Sequence, residues 1–230
     1  DNAKKILKNT LASILLVTMS ISTVQASEAL SDEGSSSISY NFGYMSEYWF
    51  RGAYQAESSV SFGADYEAGN FYLGTWWADV DQGMEGDLYF GYNFGVLGIP
   101  SYIGMTGYYY TDNFDRDYEE VNIGMDFGVF AIDAAINGNY ESGGSTWTAS
   151  SDYGHIALTV PLTENLSFSY QTFTGGSLHG MTHEISYAKN ISGVDVGLTV
   201  GANNDSGRGT TVANSNQETT YANFTLGYAF

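Results

Sequence analysis

Every second residue is apolar in the stretch YANFTLGYAF, which occupies residues 221–230. Ala222, Phe224, Leu226, Tyr228 and Phe230 would share one face, and the residues between them are small and mostly polar. Successive side chains of a β-strand point to opposite faces, whereas a helix repeats about every 3.6 residues. The stretch therefore predicts a β-strand with one apolar face.

The same alternation recurs along most of the chain. It defines twelve segments, at residues 36–48, 58–67, 70–80, 85–96, 99–111, 117–129, 130–141, 152–161, 165–174, 181–190, 194–203 and 219–230. A strand that crosses an outer membrane needs about 9–11 residues, and single-chain bacterial barrels have an even number of strands. Both the segment lengths and the count of twelve fit a transmembrane barrel.

The connections between these segments alternate between two kinds. Every second link is tight, at Ala68-Gly69, Leu97-Gly98, Gly128-Val129, Thr163-Glu164 and Ser192-Gly193. The intervening links are longer and more polar, at 49–57, 81–84, 112–116, 142–151, 175–180 and 204–218. Short periplasmic turns with longer extracellular loops are typical of outer-membrane barrels. We therefore predict an all-β, transmembrane, antiparallel up-and-down β-barrel of about 12 strands.

Aromatic residues make up 16% of the chain and gather at the segment ends. We expect two girdles at the lipid headgroups, as in other membrane barrels. The loop-side girdle would contain Tyr48, Trp49, Phe50, Trp77, Tyr109, Tyr140 and Tyr170, and the turn-side girdle Phe71, Phe94, Phe127, Phe130, Tyr228 and Phe230.

Residues 1–26 have the pattern of a secretory signal peptide. Lys4, Lys5 and Lys8 precede an uncharged apolar run at 11–24, and small residues flank Gln25 before a cleavage site after Ala26. We expect residues 27–230 to form the barrel in the bacterial outer membrane. Its partners there would be membrane lipid, lipopolysaccharide and the barrel-assembly machinery.

The composition excludes several classes of function. Seven Lys and Arg face 26 Asp and Glu, so the formal net charge of −19 argues against a nucleic-acid partner, whose phosphates need basic side chains. The chain has no Cys, which excludes thiolate metal sites and disulfides. We expect no cofactor and no metal site.

Three stretches carry a resemblance to a known family. Ser46-Glu47-Tyr48-Trp49-Phe50-Arg51-Gly52, Asp65-Tyr66-Glu67 and the run at 71–76 resemble the TorF-type putative porins of proteobacteria (the Gcw_chp family), and the similarity continues through Asp152-Tyr153-Gly154-His155. The resemblance implies an outer-membrane barrel of porin type. The closing Phe230 resembles the terminal signal by which barrels are recognised for assembly.

Alternation also predicts which charged residues line the interior. The inward-facing set is Glu47, Arg51, Asp65, Glu67, Asp87, Glu120, Asp126, Asp133, Glu141, Glu184 and Asp195. Buried carboxylates are costly without partners or water, and Arg51 is the clear basic partner on this face. We therefore expect a narrow, water-filled, cation-preferring channel for small solutes or cations, with Arg51 paired to Glu47. Two interpretations of the inward glycines stay open: they leave room for water, or they permit curvature and close backbone approach.

Two other functions stay open at this point. A non-conducting structural or adhesive barrel would have the same strand pattern. An outer-membrane hydrolase would need a histidine in its site, and the chain offers His155, His179 and His183. His183 and Glu184 are neighbours on a strand and so face opposite sides, which argues against a catalytic dyad. We therefore predict that the protein is not an enzyme.

Overall fold

The computed structural model describes residues 36–140, 152–175, 178–204 and 219–230. Twelve antiparallel strands close into a barrel, in which each strand pairs with the strands before and after it and the first pairs with the last. The barrel strands are β1 (Ser36–Met45), β4 (Ser59–Ala68), β5 (Phe71–Asp79), β6 (Met84–Val96), β7 (Ile99–Tyr110), β8 (Tyr118–Asp126), β9 (Ala131–Gly138), β10 (Tyr153–Pro161), β11 (Leu166–Thr174), β12 (Met181–Ile191), β13 (Val194–Asn204) and β14 (Thr219–Ala229). The predicted fold class and strand count are confirmed.

Two further short strands, β2 (Tyr48–Phe50) and β3 (Ala53–Ala56), pair only with each other. They lie in the chain between β1 and β4, where an outer loop is predicted. We call residues 47–57 the inner hairpin. The strand predicted at 36–48 ends at Met45, because the chain turns into the barrel after that residue.

Tight turns join the strands at one end of the barrel, which we call the turn side. Val96 pairs with Ile99 across Leu97-Gly98, and Ile191 pairs with Val194 across Ser192-Gly193. All four turn residues have positive φ, between 53° and 90°. Two-residue hairpins adopt such turns because their twist matches that of the strands. The opposite end, where the longer links lie, is the loop side.

The outer wall of the barrel is apolar. Ile38, Phe42, Leu73, Leu88 and Leu198 are 49–61% exposed, whereas alternate polar residues such as Asp87, Ser186 and Thr199 are buried. A water-soluble protein has the opposite arrangement, since its large apolar side chains are buried. A closed barrel with an apolar outer belt satisfies every ladder hydrogen bond within lipid. This architecture places the protein in the bacterial outer membrane.

The seam between the first and last strands is closed at Phe230. Its backbone N–H donates to the Tyr40 carbonyl at 3.0 Å, the Tyr40 N–H donates back at 2.9 Å, and the two rings lie 5.8 Å apart. Phe230 therefore completes the ladder at the turn side. Its role as an assembly signal stays a prediction.

The predicted loop-side girdle is wrong in four of its members. Tyr48, Phe50 and Tyr140 are buried, and Trp49 stacks on the inward-facing Tyr221, so none of the four faces lipid. Tyr48 and Phe50 belong to the inner hairpin, and the Tyr140 hydroxyl donates to Asp115 in the loop after β7. The turn-side members Phe71, Phe127, Tyr228 and Phe230 are exposed.

Some predictions fall on residues outside the described ranges. These are the signal peptide at 1–26, the inward placement of Glu141, and the loops at 142–151 and 205–218. In the described part of the chain, no helix is long and apolar enough to span a membrane.

Candidate functional site: the barrel interior

The inner hairpin lies within the barrel, because it contacts strands on opposite sides of the wall. On one side the Tyr48 hydroxyl donates to Glu85 of β6 at 2.6 Å, and the Phe50 ring lies 5.5 Å from Tyr108 of β7. On the other side the Trp49 ring stacks on Tyr221 of β14 at 4.2 Å. The Asn203 side-chain amide of β13 donates to the Gly52 carbonyl. Only a segment inside the barrel can make all of these contacts.

Arg51, at the tip of the hairpin, forms an ion pair with Glu120 of β8. The guanidinium donates to both carboxylate oxygens, at 2.8 and 2.7 Å, in the bidentate geometry of a strong pair. Burial alone would lower the pKa of Arg51, but the charge and hydrogen bonds of Glu120, together with Tyr108 and Tyr153, outweigh it, so the pKa ends well above its ordinary value. The side chain therefore stays charged.

The expected pairing of Arg51 with Glu47 is wrong. That pairing assumed one continuous strand through both residues, and the inward turn after Met45 removes it. Glu47 instead accepts a hydrogen bond from the indole N–H of Trp49 at 2.7 Å.

Glu85 is an inward carboxylate that was not predicted. It is fully buried and stands two residues before Asp87, which is 2% exposed, on the same face of β6. The two-residue spacing is the signal that could have identified it. Burial raises the pKa of Tyr48 well above its ordinary value, and the charges of Glu85 and Asp87 raise it further. Tyr48 therefore stays a neutral donor to Glu85.

Three inward carboxylates share one arrangement, which we call the acid–Gly–Tyr row. A carboxylate on one strand pairs with a glycine on the next, and the glycine pairs with a tyrosine on the strand beyond. The tyrosine ring lies across the glycine, and the tyrosine hydroxyl donates to the carboxylate. The rows are Asp65–Gly74–Tyr89 with a hydrogen bond of 2.5 Å, Asp133–Gly124–Tyr102 with one of 2.8 Å, and Glu184–Gly201–Tyr221 with one of 2.5 Å.

A fourth tyrosine acts in a similar way. Tyr153 of β10 pairs with Gly138 of β9, lies against it and donates to Glu120 at 2.7 Å. Glu120 also accepts hydrogen bonds from Tyr108 at 3.0 Å and from the Asn122 amide at 2.8 Å. Glu120 is thus satisfied by three neutral donors of the wall in addition to Arg51.

These rows change the interpretation of the inward glycines and acids. A Cβ at Gly74, Gly124 or Gly201 would overlap the tyrosine ring that lies on it. The glycines therefore make space for aromatic rings, which is the close approach considered above. Tyrosine hydroxyls donate to the carboxylates of these rows, so the acids have partners within the wall in addition to any water that reaches them.

The predicted charged residues, Glu141 apart, divide between the two ends of the barrel. Glu47, Arg51, Asp87, Glu120 and Glu184 lie toward the loop side, and Asp65, Glu67, Asp126, Asp133 and Asp195 lie toward the turn side. Asp126 accepts a hydrogen bond from the Gly128 N–H in the β8–β9 turn, and Asp195 accepts one from Asn190.

The described residues contain three Lys and Arg side chains, of which Arg116 lies in a loop and Lys189 is exposed on β12. Arg51 is therefore the basic residue of the described interior.

A cavity of about 30 Å³ remains between the hairpin tip and the wall formed by β8–β11. Phe50 and Arg51 line it on the hairpin side. Small or polar side chains line the wall side, namely Asn122, Asp133, Ala134, Ala135, His155, Ala157, Thr159, Ser169 and Gln171. Small side chains on one arc of the wall leave open space beside the hairpin.

The structure places His183 and His155 on different strands, each beside aromatic rings. His183 is exposed between the rings of Phe168 and Tyr170, whereas the neighbouring Glu184 points inward to Tyr221. His155 is buried against the Phe173 ring. Among residues 36–140, 152–175, 178–204 and 219–230, no group of three or more His, Asp or Glu side chains is placed to hold a metal ion.

The fold and its apolar belt define the class of bacterial outer-membrane β-barrels. No known family and no curated protein matches the chain in sequence. Among solved structures, a KdgM porin is similar with a TM-score of 0.54 and 9% identity over 84% of this chain and 99% of that one. A structure from a study of in-meso crystallization of membrane proteins has a TM-score of 0.55 and 11% identity over 84% and 83% of the two chains. Omp33 of Acinetobacter baumannii has a TM-score of 0.46 and 9% identity over 86% and 100%. At these identities, the first two similarities establish a shared fold.

Proposed function

We propose that the protein is a porin-like channel for passive diffusion of small solutes, with a narrow acidic lumen that prefers cations. One observation carries the proposal. Five carboxylates face the interior toward the turn side, and no described residue supplies a basic side chain there. We also propose membership of the TorF-type putative porins, which the stretch at 46–52 supports.

The charge balance favours cations over anions. Arg51 and Glu120 neutralise each other, so the remaining interior carboxylates leave an excess of negative charge. A passage lined by one sign of charge, with walls of low dielectric constant, concentrates ions of the opposite sign. Asp65, Glu67 and Asp195 are only partly buried, so water at the turn side reaches them.

A second candidate is a non-conducting structural barrel. The inner hairpin and the tyrosine rings fill much of the interior, which favours a closed bore. We propose no enzymatic activity, because His183 and Glu184 lie on opposite faces of β12.

We expect the double variant Asp126→Asn with Asp133→Asn to reduce cation preference. Two unit charges near a narrow path each contribute a fraction of a kcal/mol, so the ratio of cation to anion permeability should fall by about two- to fivefold. The reversal potential across a salt gradient in a planar bilayer measures this ratio.

The control is the double variant Asp81→Asn with Asp112→Asn, which removes two exposed loop carboxylates. It should leave the reversal potential close to that of the wild type. Equal selectivity of both double variants and the wild type would show that the turn-side acids do not set ion preference.

A further inference from the structure

We propose that the inner hairpin is a displaceable plug that sets the conductance of the channel, and that the Arg51–Glu120 ion pair is its latch. This inference rests on the proposed channel function. With the hairpin in place, the space beside it is the cavity along β8–β11. With the hairpin displaced, the loop-side half of the bore opens.

The hairpin can move without breaking the barrel. Met45 pairs with Ser59 across β1 and β4, so both ends of the hairpin are anchored at one point of the rim. The two hairpin strands pair with each other and add no strand to the barrel. The barrel ladder is therefore complete whether the hairpin lies inside or outside.

Few of the contacts that hold the hairpin are hydrogen bonds between a backbone group of the hairpin and a backbone group of the rest of the chain. The Asp81 N–H donates to the Gln55 carbonyl at 3.0 Å. Asn203 and Asn223 donate from their side chains to the Gly52 and Glu47 carbonyls. Two contacts bind carboxylates of the wall, the bidentate Arg51–Glu120 ion pair and the 2.6 Å hydrogen bond from Tyr48 to Glu85. Charge-assisted contacts are about twice as strong as neutral ones, and the ion pair is the one with charge on both sides.

Glu120 would keep three hydrogen-bond donors after Arg51 leaves. Removing one partner of a buried ion pair normally leaves an uncompensated charge, which makes the pair hard to open. Here Tyr108, Tyr153 and Asn122 all belong to the wall and still donate to Glu120 after the hairpin leaves. Arg51 would gain water at the loop side. Both states of the latch are therefore satisfied, as a two-state element requires.

Three variants test the plug in planar bilayers. The first variant, Arg51→Met with Glu120→Gln, removes both members of the ion pair and so leaves no unpaired buried charge. The second replaces residues 46–58 by a short Asn-Gly turn, which the Met45–Ser59 pair allows. The matched control is Arg116→Met, which removes a basic side chain from a loop outside the barrel wall.

The third variant locks the plug. The chain has no Cys, so Gly52→Cys with Thr182→Cys introduces a single cross-link. Gly52 has a φ of 76°, so a side chain there is strained, and its Cβ would lie 3.1 Å from the Thr182 Cβ, a few tenths of an ångström short of the roughly 3.5–4.5 Å that disulfides span. The cross-link is placed in the latch-free background and measured oxidised and reduced.

The plug account predicts a small conductance for the wild type and for Arg116→Met. It predicts at least about a threefold larger conductance for the hairpin-replaced barrel, because a 12-strand bore then lacks its main filling. The latch-free variant should show frequent large openings, which oxidation of the cross-link abolishes and reduction restores.

Equal, non-zero conductance of the wild type and the hairpin-replaced barrel would overturn the plug while leaving the channel function intact. Silence of both, with barrels that still migrate differently before and after boiling on a detergent gel, would overturn the channel function and the plug with it. Large openings that persist after oxidation would show that the hairpin does not gate them.

Discussion

Leu198→Arg should destabilise the barrel by about 2–4 kcal/mol and strongly reduce its yield in the outer membrane. Leu198 stands near the middle of β13 and is 49% exposed on the outer wall, where its neighbours on the adjacent strands are Tyr187 and Phe224. In hydrocarbon, a guanidinium there loses its hydration and finds no acceptor. On a water-facing surface the same change would alter stability by only about 0.5 kcal/mol or less.

The measurement is denaturant unfolding of barrels refolded in lipid vesicles, together with the heat-dependent shift on a detergent gel. Leu198→Met is the control, since it keeps the size and apolar character of the side chain and should cost less than about 1.5 kcal/mol. If Leu198→Arg were as stable as the wild type, the outer wall at this position would face water rather than lipid.

Gly124→Val should destabilise the barrel by about 2–5 kcal/mol, through overpacking and the loss of a buried hydrogen bond together. The added side chain would overlap the Tyr102 ring that lies on Gly124. The ring would then lift, and Asp133 would lose its 2.8 Å hydrogen bond from the Tyr102 hydroxyl. Unfolding in denaturant measures the cost.

Gly95→Val provides the matched control. Gly95 lies in β6 toward the turn side, and a Cβ there would meet nothing within 4 Å. Because valine favours strands over glycine, this variant should be neutral or slightly stabilising. Equal destabilisation by the two substitutions would contradict the role assigned to the acid–Gly–Tyr rows and would attribute the cost to backbone curvature instead.

The barrel itself could be predicted from sequence because its physical cause is local. Lipid outside and polar side chains inside impose an alternation on each strand, as in Leu88, Phe90 and Tyr92 against Tyr89 and Gly91. The turns can also be predicted from sequence, since positive φ at Gly98 and Gly193 is a local requirement of two-residue hairpins.

The inner hairpin could not be predicted in this way. Tyr48 and Phe50 keep the parity of Phe42 and Tyr44, and the one polar residue between them at that parity, Ser46, does not distinguish an inward turn from a continuing strand. What holds the hairpin inside is distant in sequence: Glu120 is 69 residues from Arg51, and Asn203 is 151 residues from Gly52. A side-chain pattern along one strand carries no information about such partners.

The acid–Gly–Tyr rows illustrate the same limit. Inward acids, glycines and tyrosines are each visible from alternation, but a row exists only when the register of three strands aligns its members. Tyr221, Gly201 and Glu184 meet because β12, β13 and β14 pair at these residues. The sequence therefore predicted the residue types of the interior, whereas the register determines which acids are satisfied.

The most direct test of the central claim is single-channel recording of the wild-type protein in a planar bilayer across a salt gradient. The account predicts discrete conductance steps and a reversal potential displaced toward the Nernst potential of the cation. Folded barrels that insert but give no steps, or steps with a reversal potential on the anion side, would contradict a cation-preferring channel.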